Sequence, residues 1–344
     1  MPHRRTTFSK FIIEQQRSAE PIDAQLTALL NDIQTACKFI ALAVSRGALA
    51  GSAHLEATAN DIIIEECAHG GTLAGMLSKS HAVPFPIPAG FRRGPYLLAY
   101  SALDGSSNLD INVTVGSIFS VLDAPGGAGE PVPADFLQPG RRQRAAVFAL
   151  HGPCSMLVVT VGSGVHGFTL DREIGAYTLT HPDMQIAAQT HEFAINASNE
   201  RFWEEPVRHY VAECIAGRDG DRGEDFNMRW VASMVAEVLR ILIRGGIFMY
   251  PGDEREATQS GHLQLLCEAA PMAMIVEQAG GLAGTGRERL LDIVPARVHE
   301  RVPVMLGSRR EVERLVEYHA AYDRGEDLRF DAPLFHTRSL FRSA

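Results

Sequence analysis

The chain has 344 residues, 46% of them apolar and 21% charged, with a formal net charge of -9 and a pI near 5.8. That length and composition fit a globular protein built as one large α/β unit or as two sub-domains around a cleft. The negative balance repels a phosphate backbone, so nucleic acid is excluded as a general partner, while a local basic pocket for a small anion is not.

From the N-terminus, residues 1–10 are polar and basic, and no apolar stretch of a secretory signal follows them. Residues 21–46 read as a helix, with Leu26, Leu29, Leu30, Ile33, Cys37, Ile40 and Ala41 at helical spacing and Gly47 to end it. A second amphipathic stretch carries Asn60 and Asp61. Residues 70–94, rich in Gly and Pro, read as irregular loop. Residues 96–100 read as a strand running into Leu103-Asp104-Gly105-Ser106-Ser107-Asn108, and 111–122 as the next strand. After a Gly- and Pro-rich loop at 124–140, the segments 145–150, 156–161 and 167–170 read as antiparallel strands. Loop and helix are expected over 196–217, a strong helix over 230–243 stopped by Gly245 and Gly246, a strand over 247–250, and a helix over 263–279 closed by Gly280 and Gly281. The coarse boundary falls near residue 190, giving sub-domains 1–190 and 191–344. No run approaches a membrane span.

Several motifs have bland explanations. Gly162-Ser-Gly164-Val-His-Gly167 matches GxGxxG, but a strand follows where a dinucleotide site needs a helix, so a hairpin turn is the better reading. Arg92-Arg93 and Arg141-Arg142 read as solvated charges. The cysteines Cys37, Cys67, Cys154, Cys214 and Cys267 are odd in number and lack a CxxC pair. They read as reduced thiols of a cytoplasmic protein and not as a disulfide framework or zinc site.

The chemistry gathers around Leu103 to Asn108. A carboxylate at a strand end can hold a divalent metal, a glycine lets backbone approach a phosphate, and the following N–H groups and hydroxyls can bind its oxygens. The null explanation is a tight turn with a capping aspartate. This segment resembles the D-P-L-D-G-S-S-N motif of the metal-dependent sugar and inositol phosphatases, and most closely the class I fructose-1,6-bisphosphatase family of bacterial type. Further resemblances run from Thr7-Phe8-Ser-Lys-Phe through Val115-Gly116-Ser-Ile-Phe, Phe193-Ala-Ile-Asn196, Gly245-Gly-Ile-Phe-Met-Tyr250-Pro251, Pro271-Met-Ala and Glu277-Gln-Ala-Gly-Gly281 to the tail Pro333-Leu-Phe and Leu340-Phe-Arg342. The resemblance implies a layered α/β sugar-phosphatase fold with the site between two sub-domains, and a homotetramer. It also implies hydrolysis of the 1-phosphate of fructose 1,6-bisphosphate or a related sugar phosphate, with Mg²⁺ or Mn²⁺.

Against that pattern, the family's Ser-Glu-Glu stretch is matched by Ser78-Lys79-Ser80, and the first aspartate of D-P-L-D by Ser101. Asp104 and Glu268 remain, as does Asp61, a candidate outer carboxylate. The ligand set falls from about -5 to about -1 in charge. At most one weakly bound Mg²⁺, on Asp104 and Glu268, is expected. Candidate catalytic residues are Asp104, Glu268, Lys79, His262 and Ser101. Gly105, Ser106 and Ser107 are expected to bind phosphate, and Asn196, Arg229 and Tyr250 match positions for the distant phosphate. His262, Gln264, Cys267, Glu200 and Leu239 depart from the family. Three functions stay open: the family reaction, a repurposed metal-independent enzyme using Lys79, His262, Glu268, Asp104 or Cys267 as acid, base or nucleophile, and a non-catalytic sugar-phosphate-binding paralogue.

Overall fold

The computed structural model describes residues 6–18, 21–47, 54–127, 129–253, 255 and 260–326. The family-like tail at 333–342 lies outside the described residues. Helix α1 (Phe8–Gln15) starts at Thr7, whose hydroxyl accepts from the Lys10 N–H, and α2 (Ala24–Ser45) at Asp23, which accepts from the Leu26 N–H. Each cap satisfies an N–H group that the helix itself leaves unpaired, which is why α2 begins at Ala24 and not at residue 21. The predicted stripe from Leu26 to Ile40 is buried. With α3 (Leu55–Ala68) these helices pack on one face of an eight-stranded sheet.

That sheet comprises β1 (Leu73–Ser78), β2 (Phe85–Pro86), β3 (Tyr96–Asp104), β4 (Val115–Asp123), β5 (Ala145–His151), β6 (Ser155–Thr160), β7 (His166–Asp171) and β8 (Ala176–His181), in the order β2-β1-β3-β4-β5-β6-β7-β8. Only the β1–β3 pair is parallel. The expectation of irregular loop over 70–94 is corrected by β1 and β2. All of β1 is buried, so it shows no polar alternation, and Gly75 inside it looks like a breaker. That glycine is needed because a Cβ there would strike the Pro131 ring. The start expected at 111 moves to Val115, because Ile111 is exposed and Asn112 has φ +57°. Gly162 and Gly164 have φ +96° and +88° and turn the antiparallel β6–β7 hairpin, as the decoy reading required.

Downstream lie β9 (Glu192–Ala194), α4 (Glu205–Ala216), β10 (Asn227–Met228), α5 (Met234–Arg244), β11 (Ile247–Tyr250), β12 (Leu263–Gln264), α6 (Ala270–Gln278), β13 (Leu282–Gly284), β14 (Arg301–Val302), β15 (Val304–Gly307) and α7 (Arg309–Asp323). A second sheet runs β10-β9-β11-β15-β13, and β12 pairs with β14. Two helix expectations shorten. Ala232, at φ +59°, cannot be helical, so α5 starts after the Ser233 cap. Leu263 and Gln264 pair with β14, after which a π-helical turn, Leu265–Ala269, leads into α6.

Helices α5 and α6 lie between the two sheets. Ile118, Phe148 and Val158 of the large sheet share one core with Val238, Ile241, Met272 and Ile275 of the helices and Phe248 and Leu306 of the small sheet. Each such side chain contributes roughly 1.5–3 kcal/mol by leaving water. On the outer face of the small sheet, Tyr210 and Cys214 of α4 and Leu315 of α7 pack on Phe193, Met249 and Met305. The result is the expected layered α/β fold, helix, sheet, helix, sheet, helix. Among the described residues, no helix is long and apolar enough to cross a membrane.

Candidate active site

The site forms where the ends of β1 and β3 meet the N-terminus of α5 and the π turn before α6. Lys79 follows the last residue of β1. Its N–H donates to the Tyr100 carbonyl at 2.9 Å, and its own carbonyl accepts from Gln264 Nε2 at 3.3 Å. With its backbone held on both sides, Lys79 places Nζ 2.6 Å from Glu268 Oε1. The other Glu268 oxygen accepts from the Gln264 N–H at 2.8 Å. Glu268 is 1% exposed and Lys79 34%. Burial alone would lower the Lys79 pKa. The attraction and hydrogen bond of Glu268, reinforced by Asp104 and Glu56, outweigh burial and hold it above the usual lysine range, so the ammonium stays charged.

Asp104 ends β3. Its Oδ2 accepts from Ser233 Oγ at 2.6 Å and from the Val235 N–H at 3.0 Å. Ser233 also caps α5, so one residue ties the helix start to the carboxylate. Burial pushes the Asp104 pKa up; the two hydrogen bonds oppose it, Glu268 adds to it and Lys79 opposes it. Gly105, at φ +71°, turns the chain beside Ser233, where a Cβ would come within 2.8 Å of the Ser233 Cβ. Ser106 and Ser107 lie in the following 3-10 turn. Asn108 Nδ2 donates to the Thr114 and Val231 carbonyls and locks that turn.

Ser101 is fully buried, and its Oγ has no hydrogen-bond partner among the described residues. By strand alternation it shares the β3 face of Leu97 and Ala99, which pack with Leu266 and Cys267 of the π turn. Ser80 turns away, its hydroxyl on Glu56 Oε1 at 2.8 Å. Asp61 is exposed on α3, whereas the neighbouring Asn60 is buried and accepts from Ser78 and Tyr100. Cys267 is buried with Sγ 3.8 Å from the Leu77 carbonyl, and burial drives its thiol far above the ordinary range. That makes it a core residue and not a nucleophile. Leu239 is likewise core.

A narrow recess adjoins this cluster, lined by Asn196, Asn199, Trp203, Tyr250, Asp253 and His262. His262 stacks on Tyr250, with ring centroids 4.3 Å apart and planes 7° apart, and its Nε2 is 3.4 Å from Asp253 Oδ2. Burial lowers the His262 pKa, with Asp253 opposing. Burial raises that of Tyr250; Arg255 opposes, and the charges of Glu268 and Lys79 both reach the phenol. Lys79 and Glu268 do not themselves line the recess. Asn196 Oδ1 is occupied in part by the Ser198 hydroxyl at 2.7 Å. Arg229 stands apart from the recess lining, about half exposed, with Nε 3.9 Å from Glu192 Oε1. Glu200 lies in the 3-10 turn over 197–202. Sequence reasoning missed Ser233, Glu56, Asp253 and His299, whose Nδ1 is 2.9 Å from Gln264 Oε1. Only Asp253 and His299 carried a usable signal, as a carboxylate and an imidazole close to family-like segments.

Comparison with known proteins agrees with this architecture. The profile "Fructose-1-6-bisphosphatase, N-terminal domain" matches residues 6–182, and the corresponding C-terminal domain profile matches residues 186–320. A protein of Methylacidiphilum infernorum (isolate V4) described as "Fructose-1,6-bisphosphatase class 1" is 56% identical over the full length of both chains. The fructose-1,6-bisphosphatase of Leishmania major superposes in its holo form with a TM-score of 0.85 at 33% identity, and in its apo form with 0.84 at 35%. In both, 92% of this chain and 99% of the other are covered. The chain belongs to the class 1 fructose-1,6-bisphosphatase family.

Proposed function

We propose that this chain is a fructose-1,6-bisphosphatase-like protein that takes a phosphorylated sugar in the cleft between its sub-domains 1–190 and 191–344, and that has left the family's metal-dependent hydrolysis. The observation that carries this reading is the 2.6 Å contact between Lys79 Nζ and Glu268 Oε1. Divalent ions of the magnesium type need several oxygen ligands, chiefly carboxylates. Of the matched set, Glu268 is engaged by an ammonium and a backbone N–H, and Asp104 by a hydroxyl and a backbone N–H. Among the described residues, no group of three His, Cys, Asp or Glu side chains is arranged to hold a metal. This donor set does not fit a magnesium cluster; a single weak Mg²⁺ on Asp104 and Glu268 is the most it supports.

Family membership supports a small phosphorylated ligand, a homotetramer and a cytoplasmic setting. His262 beside Asp253 and Tyr250 supports a second reading, acid–base chemistry without metal on a different substrate. The test is phosphate release from fructose 1,6-bisphosphate, with and without Mg²⁺ or Mn²⁺, beside a Lys79→Glu/Ser101→Asp variant. The expected result is little release by the natural chain, no response to metal, and a gain of metal-dependent release in the variant. Magnesium-dependent turnover by the natural chain at a rate ordinary for enzymes of this type, on the order of 1–10³ s⁻¹, overturns the reading.

A further inference from the structure

We propose that the Lys79 ammonium is the built-in cation of this cleft, and that withdrawing its charge turns Asp104, Glu268 and Ser101 into a site for a divalent cation. The proposal rests on the reading above that a phosphorylated ligand binds here, and it states what replaces the ion.

Three observations carry the proposal. The first is the charge balance. Asp104 and Glu268 are 5% and 1% exposed, and ionised they carry about -2 against about +1 on Lys79. Two buried carboxylates facing the same region repel each other, so they need a cation, bound or covalently attached. The second is the delivery of the ammonium. Both backbone groups of Lys79 are hydrogen-bonded, to Tyr100 and to Gln264, so its side chain is aimed and not merely nearby. One of its three N–H donors is on Glu268, which leaves donors for a phosphate oxygen, and the side chain as a whole is 34% exposed. The third is Ser101. Its fully buried hydroxyl has no partner among the described residues and faces the layer that holds the π turn of Glu268. A hydroxyl left unpaired in the interior carries a desolvation penalty, and an oxygen there is suited to a hard cation or to a ligand drawn in beside it.

The roles of ammonium and ion differ in one respect that can be measured. An ion is lost to a chelator, whereas Lys79 is not. Phosphate binding by the natural chain is therefore insensitive to chelation, and divalent binding is suppressed for as long as Lys79 is charged. Replacing Lys79 reverses both properties.

The experiment uses the full-length protein, Mn²⁺ as the metal probe and inorganic phosphate as the anion probe, both followed by titration calorimetry, with Mn²⁺ also followed by electron paramagnetic resonance. Mn²⁺ affinity is expected to rise in the order natural chain, Lys79→Met, Lys79→Glu, Lys79→Glu/Ser101→Asp, by at least roughly tenfold per added negative charge. In the presence of chelator, phosphate affinity is expected to fall roughly tenfold in Lys79→Met, to recover when Mn²⁺ is supplied, and to be retained in Lys79→Arg, which keeps the charge. Thermal melts of each variant report folding, and Lys79→Glu stands in if Lys79→Met fails to fold. Equal Mn²⁺ affinity across the series overturns the proposal, and so does a natural chain that binds phosphate only with Mn²⁺ present. If the natural chain binds no phosphate under any condition, the ligand reading above fails, and the Mn²⁺ series still decides the role of Lys79.

Discussion

Two buried carboxylates of this protein are each met by a cation, and they are met differently. Glu311 on α7 accepts from Arg222 Nη2 at 2.7 Å on both oxygens and from the Tyr210 hydroxyl at 2.6 Å. The guanidinium lies 4.3 Å from the centroid of the Phe226 ring, and the two charged side chains are 6% and 7% exposed. Glu268 meets Lys79 through one contact, with a lysine side chain that is 34% exposed and a second carboxylate, Asp104, close enough to raise the lysine pKa. In the Arg222 network one nitrogen, Nη2, meets both Glu311 oxygens, while Nη1 lies 4.0 Å from Glu213 Oε2 and has no hydrogen-bond partner among the described residues, and the Phe226 ring covers the guanidinium. The network holds α7 to the segment after α4. The Lys79 pair carries an excess of negative charge and a cation held by one described hydrogen bond, so it can exchange partners. Burial of the carboxylate thus does not by itself tell a structural pair from a functional one; the exposure of its cation, 34% at Lys79 and 6% at Arg222, does.

The sharpest way to break that contrast is to remove each cation. Arg222→Met is expected to cost about 3–5 kcal/mol, because it leaves Glu311 charged and buried. A urea unfolding midpoint unchanged from the natural chain would show that the Arg222 network contributes nothing net.

A third buried group marks the other limit, a titratable side chain with no counter-charge. His151 ends β5, between Ser117 and Ser155, and burial lowers its pKa to about 4. The unfolded chain takes up that proton near pH 6.5 and the folded chain only near 4, so between those values the unfolded state binds more protons. Stability contributed by the neutral imidazole is therefore present above pH 6.5 and is lost as the pH falls toward 4, by about 3 kcal/mol at most. His151→Gln cannot titrate, so its stability relative to the natural chain should improve by that amount from pH 7 to pH 4. Asp32, whose pKa burial raises to about 6, acts in the opposite sense in both proteins and cancels from the comparison. A pH-independent gap between the two melting curves would remove His151 as the cause.

Lys79→Met leaves Glu268 charged, 1% exposed and with the Gln264 N–H as its remaining partner among the described residues, so it too should cost about 3–5 kcal/mol. Because Lys79 and Arg222 share no partner among the described contacts, the double variant should be additive within about 0.5 kcal/mol. The smallest expected effect is this coupling, and a larger value in the double variant would show that the two pairs do not act independently.

The large sheet was legible in the sequence where apolar runs are separated by Gly and Pro, as in β5 to β7. It was illegible at β1, whose complete burial removes alternation and whose Gly75 imitates a loop. At the site, Asp104 and Gly105 were readable from a contiguous motif, and Lys79, Ser101 and Glu268 from resemblance. Their meeting was not, because Lys79 and Glu268 are 189 positions apart in the chain. The engagement of Ser80 by Glu56 and of Asp104 by Ser233 was hidden for the same reason. The π turn was hidden too, since its residues keep a helix-like apolar spacing although the Ala270 N–H bonds back to Leu265 and not to Leu266.

That turn has a mechanical consequence. Glu268 is mounted on a short, wide coil that is anchored at one end by the β12–β14 pairing and runs at the other into α6, which packs against β4, β5 and β6 of one sheet and β13 and β15 of the other. The carboxylate is thus seated beside a helix wedged between both sheets. Lys79, by contrast, hangs from the end of an edge-side strand on a flexible four-carbon arm. The cleft is an anvil with one compliant finger over it, and any ligand entering it must be accommodated by the finger.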